Sequence, residues 1–198
     1  MSGDVHVRFC ESLRGRFPRA TLLVVLCKRG EEKPLQVVRY VLDRLGLSLN
    51  ESKTHIVDAS EDGFNFLGFT IQMSRGAKSG KPYPNVRPSN KSIQKIKGRL
   101  KELTGRELTC IPLRDVVSNM NLSLRGWVNY FHYRNSNRAM SGVKYHAEER
   151  LRTHLRRRHK LKNRRAAYMR FPRSEIYGRY GLYKTPTEAG WKSAHALM

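Results

Sequence analysis

Leu122-Ser123-Leu124-Arg125-Gly126-Trp127-Val128-Asn129-Tyr130-Phe131-His132-Tyr133-Arg134-Asn135-Ser136 is the stretch on which the reading of this chain turns. Leu124, Trp127, Val128 and Phe131 recur at helical spacing, so the segment reads as one face of a helix. Arg125 and Arg134 bracket the aromatic residues, and rings set between guanidinium groups can stack on unpaired bases while the cations hold the backbone. The same rings can equally be core. Trp127 and Phe131 are four residues apart, and Trp127 has the more core-like register, so Trp127, Tyr130 and Phe131 stand between stacking and packing.

Downstream, a further helix from about Arg138 brings Val143, Ala147, Leu151 and Leu155 to one side and runs into Arg152, Arg156, Arg157, Arg158 and Lys160. No acidic residue stands between Arg150 and Arg165. Such a run condenses counterions, and releasing them on contact with phosphate favours binding. A charge run can also be a solvated face, but the leucines at 151 and 155 pin one side to a core, which favours RNA. The whole-chain charge of +23 and pI near 10.6 agree with a polyanionic partner. His146, His154 and His159 lie among these cations without zinc-finger spacing, where contact to phosphate or base is the expectation and a metal is not.

Upstream, Ser89 or Asn90 caps a helix carrying Ile93, Ile96, Leu100 and Leu103, which ends near Gly105. A second helix starts at Pro112 with Leu113, Val116, Val117 and Met120, and Asn119-Met120-Asn121 is expected to interrupt it before Leu124. Residues 74–88 carry Gly76, Gly80, Pro82, Pro84 and Pro88 and read as a linker or hairpin loop. Before them, Leu22–Cys27 is a strand. Glu31–Leu45 is an amphipathic helix with Leu35, Val38, Val41, Leu42 and Leu45 expected to pack on a sheet, stopped by Gly46. Leu47–Leu49, Thr54–Val57 and Phe64–Ile71 are strands. The fold class is α+β: a few strands and one helix, then a small, basic helical bundle.

The block from Leu22 to Phe69 resembles the last part of the reverse-transcriptase palm in bacterial group II intron-encoded proteins. Leu122–Ser136 closely resembles the signature of their maturase-specific domain, domain X, which forms the thumb. The resemblance implies a partial palm over 22–73, domain X over 89–165 and a basic aromatic tail over 166–198 containing Tyr177-Gly178-Arg179-Tyr180-Gly181-Leu182-Tyr183, which suits either a packed turn or base stacking. It implies binding of structured intron RNA and help to its splicing. The residues expected to carry RNA are Arg125, Trp127, Tyr130, Phe131, Arg134, Arg152, Arg156, Arg157, Arg158 and Lys160. Phe66-Leu67-Gly68-Phe69 looks like the primer-grip strand, and Lys53 matches a lysine of the preceding family motif.

In the family a Tyr-x-Asp-Asp motif holds the polymerase metals immediately before the Leu22–Cys27 strand, and here Arg19-Ala20-Thr21-Leu22 stands there. Val7-Arg8-Phe9-Cys10-Glu11-Ser12 echoes Val-Arg-Tyr-Ala-Asp-Asp, with Ser12 unable to replace a carboxylate and a long insertion after it. Alternatively, Ser12–Ala20 can be written in codons whose adjacent frame spells the missing motif, in which case residues 1–21 are non-native or disordered. Either way no catalytic residue, no metal site and no polymerase activity are expected, and the Mg²⁺ of an intact family member has no paired carboxylates to hold it. Three widely spaced cysteines suit a reducing compartment, and no apolar run reaches the length of a membrane span, so a cytoplasmic protein without a membrane partner is expected. DNA is a second candidate partner. A non-specific basic nucleic-acid-binding protein and a degenerate gene product with no selected activity are the competing readings.

Overall fold

The computed structural model describes residues 6–10, 13–14, 23–27, 32–49 and 54–189. Lys53 and Arg19–Leu22 lie outside them. The chain divides into two compact units, one formed by Met1–Phe66 and Ile71–Asn85, the other by Leu67–Thr70 and Val86–Met198. The fold class is α+β, as the mixture of periods implies.

In the first unit, β1 (His6–Cys10) lies between β3 (Leu23–Cys27) and β5 (Thr54–Asp58), antiparallel to both. Cys10 faces Leu23 across one ladder and Thr54 across the other. His6–Cys10 thus has a place in a sheet, in a segment for which no regular structure was expected if it were frame-shifted sequence. A short ladder joins β2 (Leu13–Arg14) to β4 (Ser48–Leu49).

Helix α1 (Glu32–Arg44) has Glu32 in its first turn and Arg44 in its last, both favourable to the helix dipole. It ends as expected at Gly46, whose φ of +67° lets Gly46 N–H reach Asp43 C=O and Leu47 N–H reach Leu42 C=O. Its packing differs from expectation. Leu42 is the buried residue of the helix, whereas Val41 and Leu45, assigned to the sheet-facing stripe, are exposed, as are Val37 and Tyr40. Among the described residues, the core of this unit is Ala59 and Phe64, with Val24, Val57, Phe66, Ile71 and Met73 around them.

A third sheet has the order β6 (Phe64–Phe66), β7 (Phe69–Arg75), β8 (Pro82–Pro88). The single strand expected over Phe64–Ile71 is broken at Leu67-Gly68, where φ is +47° and +82°. Two successive left-handed residues make the tight turn that matches the twist of a hairpin. The primer-grip-like residues are therefore a hairpin tip and its flanks. The linker expected over 74–88 is mostly strand, and its prolines are tolerated because β8 is an edge.

The second unit is helical. α2 (Asn90–Glu102) is capped by Ser89, whose hydroxyl accepts from Ser92 N–H. After a short 3₁₀ turn (Glu107–Cys110) come α3 (Leu113–Phe131), α4 (Asn137–Arg158), α5 (Arg164–Arg170) and α6 (Arg173–Tyr177). The interruption expected at Asn119–Asn121 is absent: α3 is one helix of 19 residues. The buried stripe Val116, Val117, Met120, Leu124, Trp127 and Val128 outweighs the weak helix propensity of the asparagines.

Asn121 has a separate task, bracketing the segment after α6: its Nδ2 donates to Gly181 C=O (2.8 Å) and its Oδ1 accepts from Tyr183 N–H (2.7 Å). That segment belongs to the core. Ala167, Phe171, Ile176 and Leu182 are buried among the α2, α3 and α4 side chains, with Tyr177, Tyr180 and Tyr183 against them. A fully buried aliphatic side chain stabilises by roughly 1.5–3 kcal/mol, so these residues complete the bundle rather than trail from it. The tyrosines of this segment pack.

Candidate nucleic-acid interface

The ten residues expected to carry RNA do not form one surface. The Arg158 guanidinium donates to Thr109 C=O (3.0 Å) and to Ile111 C=O, which ties the end of α4 to the entry of α3. α3 then runs roughly 28 Å, at 1.5 Å per residue, to its own C-terminus. The arginine run lies at one end of this helix and the Tyr130–Arg134 group at the other.

At the arginine end, Arg156, Arg157 and Lys160 line a groove whose other wall is Arg106 and Thr109. None of the four cations has a side-chain partner among the described residues. Arg158, from the same run, is not free: its guanidinium satisfies carbonyls left open at the end of the 3₁₀ turn. Arg152 is the clearest departure from expectation. It is 3% exposed, donates from Nε to Phe171 C=O (3.1 Å), pairs with Glu149 and lies over the Tyr168 ring at 4.2 Å. It fastens α5 to α4 and presents nothing to a ligand. A further buried carboxylate, Glu148, accepts from Tyr177 Oη (2.6 Å) and Arg173 Nε (2.9 Å), and burial first, then that contact, pushes the Tyr177 hydroxyl up.

The histidines also divide. His154 is fully buried, so it meets no phosphate, and burial above all holds its pKa low, with Arg158 and Arg157 adding to the shift against the nearby Thr104 backbone. His146 Nε2 lies 3.3 Å from Lys97 C=O. His159 is exposed and leans on Phe171 at 5.3 Å.

At the other end, Trp127 is 9% exposed and Phe131 half-buried, their ring centroids 5.1 Å apart. Both are packing residues in this arrangement. Tyr130 is 54% exposed, stacks on Phe69 at 5.8 Å and donates to Leu67 C=O (3.1 Å). The hairpin tip is thereby clasped by the helix: Gly68 C=O also accepts from Ser89 N–H and Ser92 Oγ, each at 2.8 Å. Arg134 has a left-handed backbone, φ +45°, and donates from Nε to Tyr133 Oη (3.0 Å). Arg125, between the two ends, is exposed beside the Tyr183 ring at 5.4 Å. Leu67, Arg134 and Lys160 are the non-glycine residues with positive φ among those described; Arg134 and Lys160 belong to the ten expected to carry RNA, and Leu67 to the primer-grip-like four.

Sequence reasoning missed Arg106, Thr109 and Asn121. Arg106 stands alone after Gly105, and only the fold brings it beside residues fifty positions later. No group of three or more His, Cys, Asp or Glu among the described residues could hold a metal ion, and no helix among them is long and apolar enough to cross a membrane. No curated protein matches the chain. The model of the family described as group II intron, maturase-specific domain matches residues 93–172, from α2 to the residue before α6. That family's domain is distinct from a polymerase catalytic domain. Over residues 93–172 the chain is thus similar to the maturase-specific domain of group II introns.

Proposed function

We propose that the protein is a group II intron reverse transcriptase/maturase-like chain that binds structured intron RNA and assists its splicing, without polymerase activity. In this reading residues 22–73 are the remainder of a palm and the helical unit is the thumb. The observation that carries it is the domain match over a segment in which Arg156, Arg157 and Lys160, without side-chain partners among the described residues, line a groove that has no carboxylate among its lining residues. Four neighbouring cations repel one another, and an anion relieves that repulsion. The exposed rings of Tyr130 and Tyr133 and the half-buried Arg134 guanidinium at the far end offer stacking and backbone contacts to unpaired nucleotides. The lack of polymerase activity is read from the sequence, in which no pair of carboxylates adjoins Leu23.

The test is a pair of binding isotherms across a salt series, one with group II intron RNA and one with an unrelated structured RNA of equal length. The intron RNA should bind more tightly at every salt concentration, and Arg125→Ala with Tyr130→Ala should narrow that advantage. Equal affinity for both RNAs would leave only counterion release, and a non-specific basic protein would be the better reading. Primer extension on a primed RNA template with Mg²⁺ or Mn²⁺ should not exceed a protein-free control.

A further inference from the structure

Lys160 occupies a position that lysine does not favour. It follows the last turn of α4 with φ +52°, and the bonds around it are Lys160 N–H to Arg157 C=O and Leu161 N–H to Arg156 C=O. This is the helix-ending motif in which the left-handed residue is most often glycine, because any Cβ there is strained. A strained side chain persists where the surroundings hold it, and such residues gather at functional sites. The strain carries the ammonium to the groove wall beside Arg156 and Arg157.

The opposite wall is built with comparable specificity. The Thr109 hydroxyl donates to Arg106 C=O (2.8 Å), so it holds the Arg106 turn in shape and has no proton left for a ligand. Arg158 fixes the same turn from the other side through Thr109 C=O. Glu107, the carboxylate next to Arg106 in sequence, is not among the lining residues.

We propose that this groove is a clamp for a single backbone phosphodiester of folded RNA, with Arg106 on one side and Lys160, Arg157 and Arg156 on the other. It rests on the RNA-binding reading above and makes it local. Arg156 and Arg157 act there as part of a shaped site together with Arg106, while Arg158 and Thr109 are positioning residues that never touch the phosphate.

The experiment uses the full chain with Lys160→Gly, Arg106→Ala and the double variant, measuring RNA affinity over a salt series together with thermal unfolding. Lys160→Gly relieves the left-handed strain, so its unfolding midpoint should rise, while its affinity should fall by about fivefold to tenfold at 0.1 M salt with the slope of log K against log salt reduced by about one unit. Weaker binding by a more stable protein cannot come from misfolding. Arg106→Ala should give a similar loss, and the double variant should lose measurably less than the product of the two, because a phosphate held from one side only is already poorly held. Inorganic phosphate, compared with chloride at matched ionic strength, should not displace the RNA. If the intact chain binds RNA but both single variants keep its affinity and slope, the clamp is wrong and the RNA-binding reading stands. If the intact chain does not bind RNA, both fall. Displacement by phosphate in the intact chain but not in the variants would overturn the diester assignment.

Discussion

Replacing Asn121 by alanine removes both bonds that bracket the segment after α6. Among the described residues, the Asn121 side chain alone hydrogen-bonds the Gly181 carbonyl and the Tyr183 amide to α3. A typical internal hydrogen bond contributes about 0.5–1.5 kcal/mol net. Tyr183 is half-buried, so its N–H falls toward the upper end of that range, whereas Gly181 is exposed and water can replace the lost donor. Together they contribute roughly 1.5–2.5 kcal/mol. Alanine returns about 0.5–0.7 kcal/mol of helix propensity, leaving a net loss of about 1–2 kcal/mol. For a unit of about 100 residues that lowers the melting midpoint by roughly 4–15 °C. Circular dichroism at 222 nm follows the melt, and hydrogen exchange at the Tyr183 amide reports the local loss. Asn119→Ala is the control, since its exposed side chain bonds nothing in the segment, and it should be neutral or slightly stabilising. A midpoint for Asn121→Ala within a degree of the parent, with the Tyr183 amide still protected, would refute the docking of this segment on α3.

Gly68→Ala should destabilise the helical unit by about 1–3 kcal/mol, because the φ of +82° is strained for alanine and its Cβ would sit 2.9 Å from Ser92 Oγ and 3.0 Å from Phe131 Cζ; Gly80→Ala, at φ +62° with open space around it, is the milder comparison in a urea melt. His146, His154 and His159 all have pKa values lowered chiefly by burial, so the unfolded chain binds more protons than the folded one just below the ordinary histidine value. Their contribution is therefore complete above about pH 6.5 and is lost as the pH falls toward their folded values. Thermal midpoints should drop between pH 7.5 and 5.5, and His154→Leu should flatten the dependence; an unchanged slope in that variant would remove His154 from the account. Arg158→Ala should lower stability by about 1–2 kcal/mol while Arg157→Ala leaves the melt unchanged and weakens RNA binding; the reverse pattern would mean that the two roles are misassigned.

The helices were legible because their apolar residues keep a period that no alternative reading fits. What failed did so for local reasons. Asn121 looked like a break because its helix-weakening side chain is visible in sequence and its partners at 181 and 183 are not. Arg152 was grouped with its neighbours by composition, although the register held a clue: Glu148 and Arg152 are four apart and flank Ala147, Leu151 and Leu155, so both lie at the edge of the buried stripe. Phe171, Ile176 and Leu182 escaped because short helices and an extended segment give no period long enough to read. Leu67-Gly68 reads as strand because it sits inside an aromatic run, and only the backbone angles reveal the turn. Arg106 carried no signal at all, since one arginine after a glycine becomes a site only when the fold brings α4 alongside it.

The docking of the segment after α6 also sets a schedule for the chain as it is made. Helices α2, α3 and α4 are complete when Arg158 has been added, yet Phe171, Ile176 and Leu182 still have to arrive before the aliphatic faces of α3 and α4 are closed. At ordinary translation speeds the stretch from Arg158 to Thr185 takes roughly one to five seconds to synthesise. Until that stretch has emerged and docked, an open apolar seam lies next to the arginine run of α4.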